Sequence, residues 1–411
     1  MLVLIAVRNT TGERLGFKPG IWQIMLGGAV AVIITGQISP VEAAYAINPD
    51  VMIFLFGMFV AGEAICRSGS LILFSEKLFR REMSMNILII MLITVTGLLS
   101  AILMNDTVAI IGTSFVLYLS QKYNISPPML LLTLAFSVTT GSVMSPVGNP
   151  QNLLIAVEGG LENPFLTFIE YLAVPSLLSL IIIFAVIRLL YPEEFRKCII
   201  PVKSDRSEFT PDNPLLRLTK ITISLICGMI LLKIGLILFN TGITLPLTAI
   251  AVAAALPILL FSPERFRILR NIDWETLIFF AALFVLMQSV WNTGIIQNSV
   301  DCMPYSITEP DIIFLLGLTV SQIISNVPFV ALTLPFFSGE AATDAGLMAL
   351  AAGSTLAGNL LILGAASNII IIQNAEKEGR TLRFIEFAKA GIPLTVLQTV
   401  VFLIFFAVMR Y

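Results

Sequence analysis

The residues whose types are best suited to binding a ligand lie in one stretch, residues 141–152, which reads GSVMSPVGNPQN. It places glycines, prolines, asparagines, a glutamine and two serines inside a long apolar segment. Proline lacks an amide donor and glycine relaxes the backbone, so neither Pro146 nor Pro150 can lie in an unbroken helix. Peptide groups freed at membrane depth cannot face lipid, so they must face protein or a watery cavity. We therefore expect this stretch to line a site for an ion and a substrate.

Asp106 is the one acidic residue that the apolar pattern places deep in the membrane. A buried carboxylate there is costly, which indicates a functional group such as a sodium ligand or a proton carrier. The alternative is that residues 86–104 cross the membrane completely and leave Asp106 in an outside turn.

Asparagine amides and unwound carbonyls near the apolar breaks offer the oxygen atoms that hard cations such as sodium prefer. The alternative is that the amides only satisfy backbone groups freed by the breaks. The residues predicted to bind a coupling cation, sodium or a proton, are Asn105, Asp106, Gly148, Asn149, Asn152, Ser325, Asn326, Gly364 and Asn368.

Hydroxyl groups flank the same breaks, and helix N-termini beginning there would present free amides that suit an anion. Serine and threonine in membrane helices also serve simply to hold helices together. The residues predicted to bind substrate are Asn105, Asp106, Thr107, Ser142, Ser145, Asn326, Ser354 and Thr355.

The composition is that of an all-α polytopic membrane protein. Of 411 residues, 57% are hydrophobic and 12% charged, with a mean hydropathy of +0.94. The absence of histidine excludes Ser-His hydrolases, HExxH metalloproteases and histidine proton relays. The chain has no Gly-Lys dipeptide, so it lacks a Walker A loop, and its four cysteines are isolated. We expect neither an enzyme nor a nucleic-acid partner, and neither a transition metal nor any cofactor besides a coupling ion.

Apolar segments too short to cross a membrane predict two re-entrant hairpins, and two further segments are broken helices. The hairpin tips are placed at Asn105-Asp106 and at Asn326-Val327-Pro328; two full spans in place of the first hairpin remain an alternative. The predicted organisation is an N-terminal stub (1–20), a first half (21–190) with hairpin 86–120 and broken helix 127–157, a cytoplasmic linker (191–217), and a second half (218–411) with hairpin 311–337 and broken helix 345–375.

The distribution of basic residues predicts the orientation. Of 24 lysines and arginines, only Lys233, within a span, and Arg410, at the end, fall outside the segments assigned to the cytoplasm. The positive-inside rule then places the N-terminus on the cytoplasmic side. We expect the protein to lie in the cytoplasmic (inner) membrane. The loops assigned to the outside contain no lysine or arginine and comprise residues 39–50, 158–165, 240–244, 292–310 and 338–344.

The chain repeats itself with its halves inverted. In one register, Gly148 matches Gly364 and Asn152 matches Asn368; in a second register, residues 53–69 match residues 278–294. The charge pattern places matched loops on opposite membrane faces, as in the inverted repeats of secondary transporters. Span 218–239 has no partner before residue 21 except the short segment 1–7, which predicts a truncated start or a missing scaffold helix.

Four motifs together resemble the ion transporter superfamily, over roughly residue 20 to the end. They are Asn105-Asp106-Thr107, SPVGNPQN at 145–152, SNVP at 325–328, and GSTLAGNLLILGAASN at 353–368. The superfamily includes arsenite efflux permeases, sodium/proton antiporters, citrate-metal carriers and divalent-anion/sodium symporters, and the chain is most similar to the arsenite-permease-like anion permease branch. The Ser-Asn-Thr tip of the symporters is replaced here, which argues against a dicarboxylate substrate. The resemblance implies a homodimer with a scaffold domain and a moving transport domain.

Three other charged features have structural interpretations. Glu63 and Arg67 are four residues apart, which favours a helix pair over a site, and the repeat counterpart of Glu63 is Gln288. Residues 71–83 are predicted to form an amphipathic interfacial helix. Lys233, in mid-span, is left without a role.

The sequence therefore predicts a secondary active transporter of a small inorganic or carboxylate anion, coupled to sodium or protons by alternating access. A sodium/proton (cation/proton) antiporter that uses Asp106 is the alternative, because no deep arginine or lysine is available for an anion. A passive channel is a third class, which would need a continuous pore.

Overall fold

The computed structural model describes residues 21–69, 84–196, 214–239, 245–301, 305–337 and 343–409, and every regular element in them is helical. The helices of the first half are α1 (Ile21–Ile34), α2 (Pro40–Ala46), α3 (Pro49–Ser68), α4 (Met85–Leu103), α5 (Asn105–Tyr123), α6 (Pro127–Ser142), α7 (Pro150–Glu158), α8 (Pro164–Leu190) and α9 (Pro192–Arg196). Those of the second half are α10 (Pro214–Leu238), α11 (Leu247–Phe261), α12 (Arg265–Asn271), α13 (Trp274–Asn292), α14 (Ile295–Asp301), α15 (Pro310–Ile324), α16 (Asn326–Thr333), α17 (Asp344–Leu360), α18 (Ala366–Lys377) and α19 (Phe384–Met409). The predicted stub (1–20), the predicted interfacial helix (71–83) and residues 197–213 of the predicted linker lie outside the described residues.

Six helices of the described ranges are long and apolar enough to cross a membrane, namely α3, α4, α8, α10, α13 and α19. Shorter apolar helices, among them α1, α11 and α15, fill the space between them. The predicted class, an all-α polytopic membrane protein, is confirmed.

Both apolar segments that carry the motifs are interrupted. Helix α6 ends at Ser142 and α7 begins at Pro150, where the missing proline N–H is harmless because the first turn has no helical acceptor. Helix α17 ends at Leu360, and a single turn of 3₁₀ helix, Ile362–Gly364, precedes α18. We call residues 143–149 the first break and residues 361–365 the second break.

Each hairpin turns at one residue with a positive φ angle. Met104, between α4 and α5, has φ 69° and ψ 141°, and Ser325, between α15 and α16, has φ 72° and ψ 157°. The turns therefore lie just before the predicted tips; Pro328 belongs to the first turn of α16, which tolerates its missing N–H. Side chains other than glycine adopt this backbone region at a cost of about 1–3 kcal/mol, and such strain concentrates at functional sites.

Glycines let each hairpin lie close against the broken helix of its own half. A Cβ on Gly141 would collide with the carbonyl oxygen of Gly97, and one on Gly353 would collide with that of Phe314. Helix α4 thus packs on α6, and α15 packs on α17.

The second arm of each hairpin packs across to the other half. Helix α5 contacts α18, and α16 contacts α7, so each hairpin meets the far segment of the opposite broken helix. The helices outside the hairpins also pack across the halves. Helix α3 of the first half contacts α11 of the second half, and α13 of the second half contacts α1 of the first half. In this crosswise arrangement each hairpin contacts the broken helices of both halves.

The helices begin at matching positions in the two halves. In the register that matches residues 53–69 with 278–294, the first residue of α2, Pro40, coincides with the first residue of α12, Arg265. In the same register, the first residue of α3, Pro49, coincides with the first residue of α13, Trp274. This correspondence supports the repeat, and its inversion across the membrane stays a prediction.

Glu63 and Arg67 form a pair within α3, with Arg67 Nε 2.6 Å from Glu63 Oε1. The matching positions of α13 form the same i,i+4 contact, in which Gln288 Nε2 donates to Asn292 Oδ1 at 2.9 Å. Because the matching pair in α13 carries no charge, we interpret both pairs as contacts that stabilise their own helices. Lys233 is also engaged structurally, because its Nζ donates to the carbonyl oxygen of Leu245 at 2.5 Å.

Replacing Glu63 by glutamine is expected to leave transport unchanged and to alter the free energy of unfolding by less than about 1 kcal/mol. Uptake by proteoliposomes and thermal unfolding of the purified protein measure these two quantities. A variant that folds normally but fails to transport would assign Glu63 to the site instead.

Candidate functional site

Asn152 holds the first break together. Its Nδ2 donates to the carbonyl oxygens of Ser142, Val143 and Ser145 at 3.0–3.2 Å. These carbonyls lose their helical donors where α6 ends, so one amide replaces them. For Asn152, the structure thus shows the alternative use of the amide, which satisfies backbone groups freed by the break.

The first break also holds the first hairpin tip. The backbone N–H of Asn105 donates to the carbonyl oxygen of Gly148 at 2.8 Å. A Cβ on Gly148 would collide with the carbonyl oxygen of Ser142, so only glycine allows this turn. Asn149 caps α7 by accepting the N–H of Asn152 at 2.8 Å, which uses one of the amides that an anion would need.

Thr355 of the second half reaches into the first break. Its Oγ1 accepts from Asn149 Nδ2 at 3.1 Å and from Gln151 Nε2 at 3.2 Å, and it donates to Asn152 Oδ1 at 3.3 Å. All four side chains are buried. The predicted substrate residue Thr355 is therefore the point where the two halves are hydrogen-bonded at the first break.

Replacing Asn152 by alanine is expected to destabilise the protein by about 3 kcal/mol or more, because three buried carbonyls lose their donor. Thermal unfolding in detergent measures this loss. Asn374→Ala is the control, since that side chain accepts a hydrogen bond from the exposed Lys377 near the end of α18. Equal unfolding temperatures for the two variants would contradict the capping role.

Asp106 and Thr107 lie in the first turn of α5, beside a membrane-spanning helix. Thr107 Oγ1 is 2.8 Å from the position of a Cβ on Gly62, a residue in the interior of α3 and about 20 Å along that helix from Pro49. Asp106 is half-buried. Gly62 is also only about 9 Å from the end of α3 at Ser68, so the depth of Asp106 in the membrane stays a prediction.

The predicted hydroxyl groups divide into different roles. Ser142 Oγ donates to the carbonyl oxygen of Thr139 at 2.8 Å and accepts from Asn149 Nδ2 at 3.1 Å, so it stabilises the end of α6. Ser145 Oγ accepts from the N–H of Val147 at 3.3 Å, inside the first break. These two hydroxyls are engaged by the break itself.

The expectation that Ser354 flanks a break is wrong. Ser354 lies inside α17, and its Oγ donates to the carbonyl oxygen of Leu350 at 2.7 Å. Thr355 also lies inside α17, which continues through Gly358 to Leu360, and Gly364 lies in the second break as expected. Helix N-termini do begin beside both breaks, α7 at Pro150 and α18 at Ala366, whereas Ser142 lies at the C-terminal end of α6.

The second break is more open than the first. Six of the seven residues of the first break are buried, whereas Leu363 in the second break is 51% exposed and Ser325 of the adjoining hairpin is exposed as well. Asn368 Nδ2 donates to the carbonyl oxygen of Gly358 at 2.7 Å. The Oδ1 atoms of Asn368 and Asn326 are buried and form no hydrogen bond with any described residue.

Sequence reasoning missed a buried triad that joins three helices. Asn359 Nδ2 donates to Thr140 Oγ1 at 3.0 Å and to Gln398 Oε1 at 2.9 Å, and Gln398 Nε2 donates to the same threonine oxygen. Gln398 is a polar residue in the middle of the apolar helix α19, which was the available signal. The triad fixes α6, α17 and α19 to one another.

Comparison with known proteins decides the class of this chain. The family model described as "Citrate transporter" matches residues 3–346. The chain belongs to the citrate transporter family. This membership identifies a transporter rather than an enzyme, and it agrees with the resemblance to the ion transporter superfamily.

Relatives of this citrate transporter family member cover both halves. It is 26% identical to an uncharacterized transporter of Mycobacterium bovis, over 90% of each chain. It is 25% identical to an uncharacterized transporter of Synechocystis, over 78% of this chain and 77% of the relative. It is also 26% identical to the silicon efflux transporter of Oryza sativa subsp. japonica, over 91% of this chain and 90% of the relative.

Proposed function

We propose that this citrate transporter family member is a secondary active transporter of a small inorganic or carboxylate anion, coupled to sodium or protons. The observation that carries the proposal is the hydrogen bond between Asn105 and Gly148, which joins a strained hairpin tip to an unwound stretch of helix. Unwound main chain enclosed by apolar helices is the arrangement from which transporters build ion and substrate sites.

The helix N-termini near the second break support anion binding. Helices α16 and α18 begin at Asn326 and Ala366 without a side-chain cap, so their first amides are available to a ligand. In the described residues, neither break and neither hairpin turn contains a lysine or arginine. An anion must therefore be balanced by these amides and by a bound cation.

The different exposure of the two breaks supports alternating access. We propose that the second break faces an aqueous cavity while the first is closed, as alternating access of two matched half-sites would require. In the alternative state of the transporter, the second break would be buried and the first break would be exposed. We also propose that the protein is a homodimer, as the resemblance to the ion transporter superfamily implies. We propose further that it lies in the inner membrane with its N-terminus in the cytoplasm, as the charge pattern favours.

The name of the rice relative, a silicon efflux transporter, favours a small inorganic oxyacid or its anion over a dicarboxylate. The replaced hairpin tip, with Asp106 and Val327 where the symporters have threonine, favours the same choice.

Purified protein in proteoliposomes tests the proposal. Uptake of arsenite, silicic acid, phosphate and citrate is measured with an imposed sodium gradient, with a proton gradient and with neither. Accumulation of at least one of them that requires a gradient supports the proposal. Equilibration of each solute without accumulation would indicate a passive channel.

Asp106 makes the cation/proton antiporter the second candidate, because a half-buried carboxyl group among apolar helices suits proton exchange. In the same liposomes, sodium added outside would release protons from the lumen without any anion present. Asp106-dependent proton release without anion uptake would establish the antiporter and exclude the anion transporter.

A further inference from the structure

An apolar groove runs along the surface of the protein between α4 and α8, both of which are long and apolar enough to cross a membrane. The groove encloses about 310 Å³, and no charged residue lines it. Its floor is buried, since Ile93 is 3% exposed and Leu180 is 6% exposed. Its rims are 45–65% exposed and consist of Ile90, Leu98, Leu177 and Ile181. The shape and the lining suit an apolar chain.

The groove has about the depth of one leaflet of a bilayer. Its two helices run in opposite directions, because Asn86 in the first turn of α4 is hydrogen-bonded to Arg188 in the last turn of α8. Leu98 lies 12 residues from Asn86, and Leu177 lies 11 residues from Arg188, which corresponds to about 18 Å and about 16 Å of helix. Half of a hydrocarbon core of about 30 Å is similar, so one acyl chain can lie along the groove.

Arg188 lies at the end of this groove with an unbalanced charge. Its guanidinium is 6.0 Å from the ring centre of Phe184, which lines the groove, and 5.8 Å from that of Phe195. The side chain is exposed, its Nη1 donates to the neutral Asn86 at 2.8 Å, and it forms no ion pair with any described residue. The two rings hold the guanidinium in place, and its further N–H groups can donate to an anion.

The acidic side chains of α9 do not supply that anion. Helix α9 packs on α4 and α8 at this end of the groove and contains Phe195. Glu193 is paired with Arg196 at 3.2 Å, and Glu194 Oε2 accepts from the N–H of Ser126 at 3.3 Å. A ligand at this end of the groove would therefore need to bring a negative charge of its own.

We propose that the α4–α8 groove binds an anionic phospholipid, with one acyl chain between the rims and the phosphate on Arg188. The guanidinium fork matches the geometry of a phosphate, and basic pockets between membrane helices on the cytoplasmic side bind anionic headgroups. The charge pattern of the chain predicts that Arg188 lies on that side. This lipid site goes beyond the proposed transport function, since none of its residues belongs to a hairpin tip or to a break.

Lipid binding to the purified, delipidated full-length protein tests the site without any transport. Phosphatidylglycerol or phosphatidylcholine with identical acyl chains is titrated in detergent, and the rise in unfolding temperature gives the apparent Kd of each lipid. The wild type is expected to bind phosphatidylglycerol at least about fivefold more tightly than phosphatidylcholine. Glycerol phosphate and inorganic phosphate, which lack acyl chains, are expected to give no rise that depends on Arg188.

Three variants separate the charge from the packing of α4 on α8. Arg188→Gln is expected to abolish the preference for phosphatidylglycerol, whereas Arg188→Lys keeps the charge and is expected to keep the preference. Asn86→Ala removes the same hydrogen bond but leaves the arginine, so its preference is expected to match that of the wild type. The matched control is Arg267→Gln, an exposed arginine of α12, a helix that packs on α3 and α11 instead.

Filling the groove tests the acyl chain. Thr94 is an exposed residue of the groove lining, and Thr94→Trp is expected to raise the Kd of both lipids at least about fivefold. Ile181→Cys, in a protein whose four native cysteines are replaced, tests whether a second copy of the chain covers the groove instead. We expect no disulfide cross-link between copies at this position.

Four results would overturn the inference. They are equal affinity of the wild type for the two lipids, a preference that persists in folded Arg188→Gln, an Arg188-dependent response to inorganic phosphate alone, and efficient cross-linking of Ile181→Cys. The third would reduce the site to a phosphate site, and the fourth would make the groove an interface between copies. Each result leaves anion accumulation by proteoliposomes, and so the proposed function, to be decided separately.

Discussion

Replacing Asp106 by asparagine is expected to lower transport at least about a hundredfold while the protein still folds. Asparagine keeps the shape of the side chain but removes its charge and its ability to release a proton. Loss of one charged ligand in a buried site costs about 3 kcal/mol, which corresponds to about a hundredfold in rate. Initial uptake rates in proteoliposomes measure the effect, and thermal unfolding verifies that the variant is folded.

Asp50→Asn is the matched control, since Asp50 is an exposed acid in the first turn of α3. We expect its transport to stay within about twofold of wild type. If the Asp106→Asn variant also transports at the wild-type rate under every gradient, neither the anion transporter nor the antiporter can depend on this carboxyl group.

Replacing Asn326 by alanine is expected to abolish transport without destabilising the protein. Asn326 begins α16, directly after the strained Ser325, and is 6% exposed. Its Oδ1 forms no hydrogen bond with any described residue, so its removal breaks no such bond of the fold. A ligand that uses this oxygen would lose it, and we expect at least about thirtyfold slower uptake, equivalent to about 2 kcal/mol.

The comparison with Asn152→Ala makes this prediction specific. The Asn152 amide joins three carbonyls, so its loss should lower stability, whereas the loss of Asn326 should lower transport alone. Asn292→Ala, at the exposed end of α13, removes only the i,i+4 contact with Gln288 and is expected to leave transport unchanged and to alter the free energy of unfolding by less than about 0.5 kcal/mol. An Asn326→Ala protein that unfolds as readily as Asn152→Ala would show that Asn326 holds the hairpin rather than a ligand.

Much of the helical architecture could be predicted from particular residues. Pro146 and Pro150 with Gly148 predicted the first interruption, because neither proline fits a continuous membrane helix. Hydropathy alone predicted the polytopic class. Unwound main chain was also expected near Gly364, which lies in the second break, whereas Ser354 and Thr355 were wrongly expected to flank it; Gly353 and Gly358 lie inside α17 and permit close contacts with Phe314 and Ala365.

The roles of the site residues could not be read from residue type. Asparagine in a break suits both a cation and a free carbonyl, and only the coordinates show that Asn152 caps carbonyls whereas Asn326 has an oxygen without a donor among the described residues.

The central claim is that the hairpin turns meet the helix breaks inside the membrane. Thiol labelling of Ser325→Cys, in a protein whose four native cysteines are replaced, tests it most directly. In oriented vesicles we expect the new cysteine to react from only one side at a time, and from a side that changes when the ion gradient is reversed, whereas Thr381→Cys in the exposed loop after α18 reacts from one fixed side. Reaction from one fixed side under both gradients, as at Thr381→Cys, would place Ser325 at the water boundary and contradict the account.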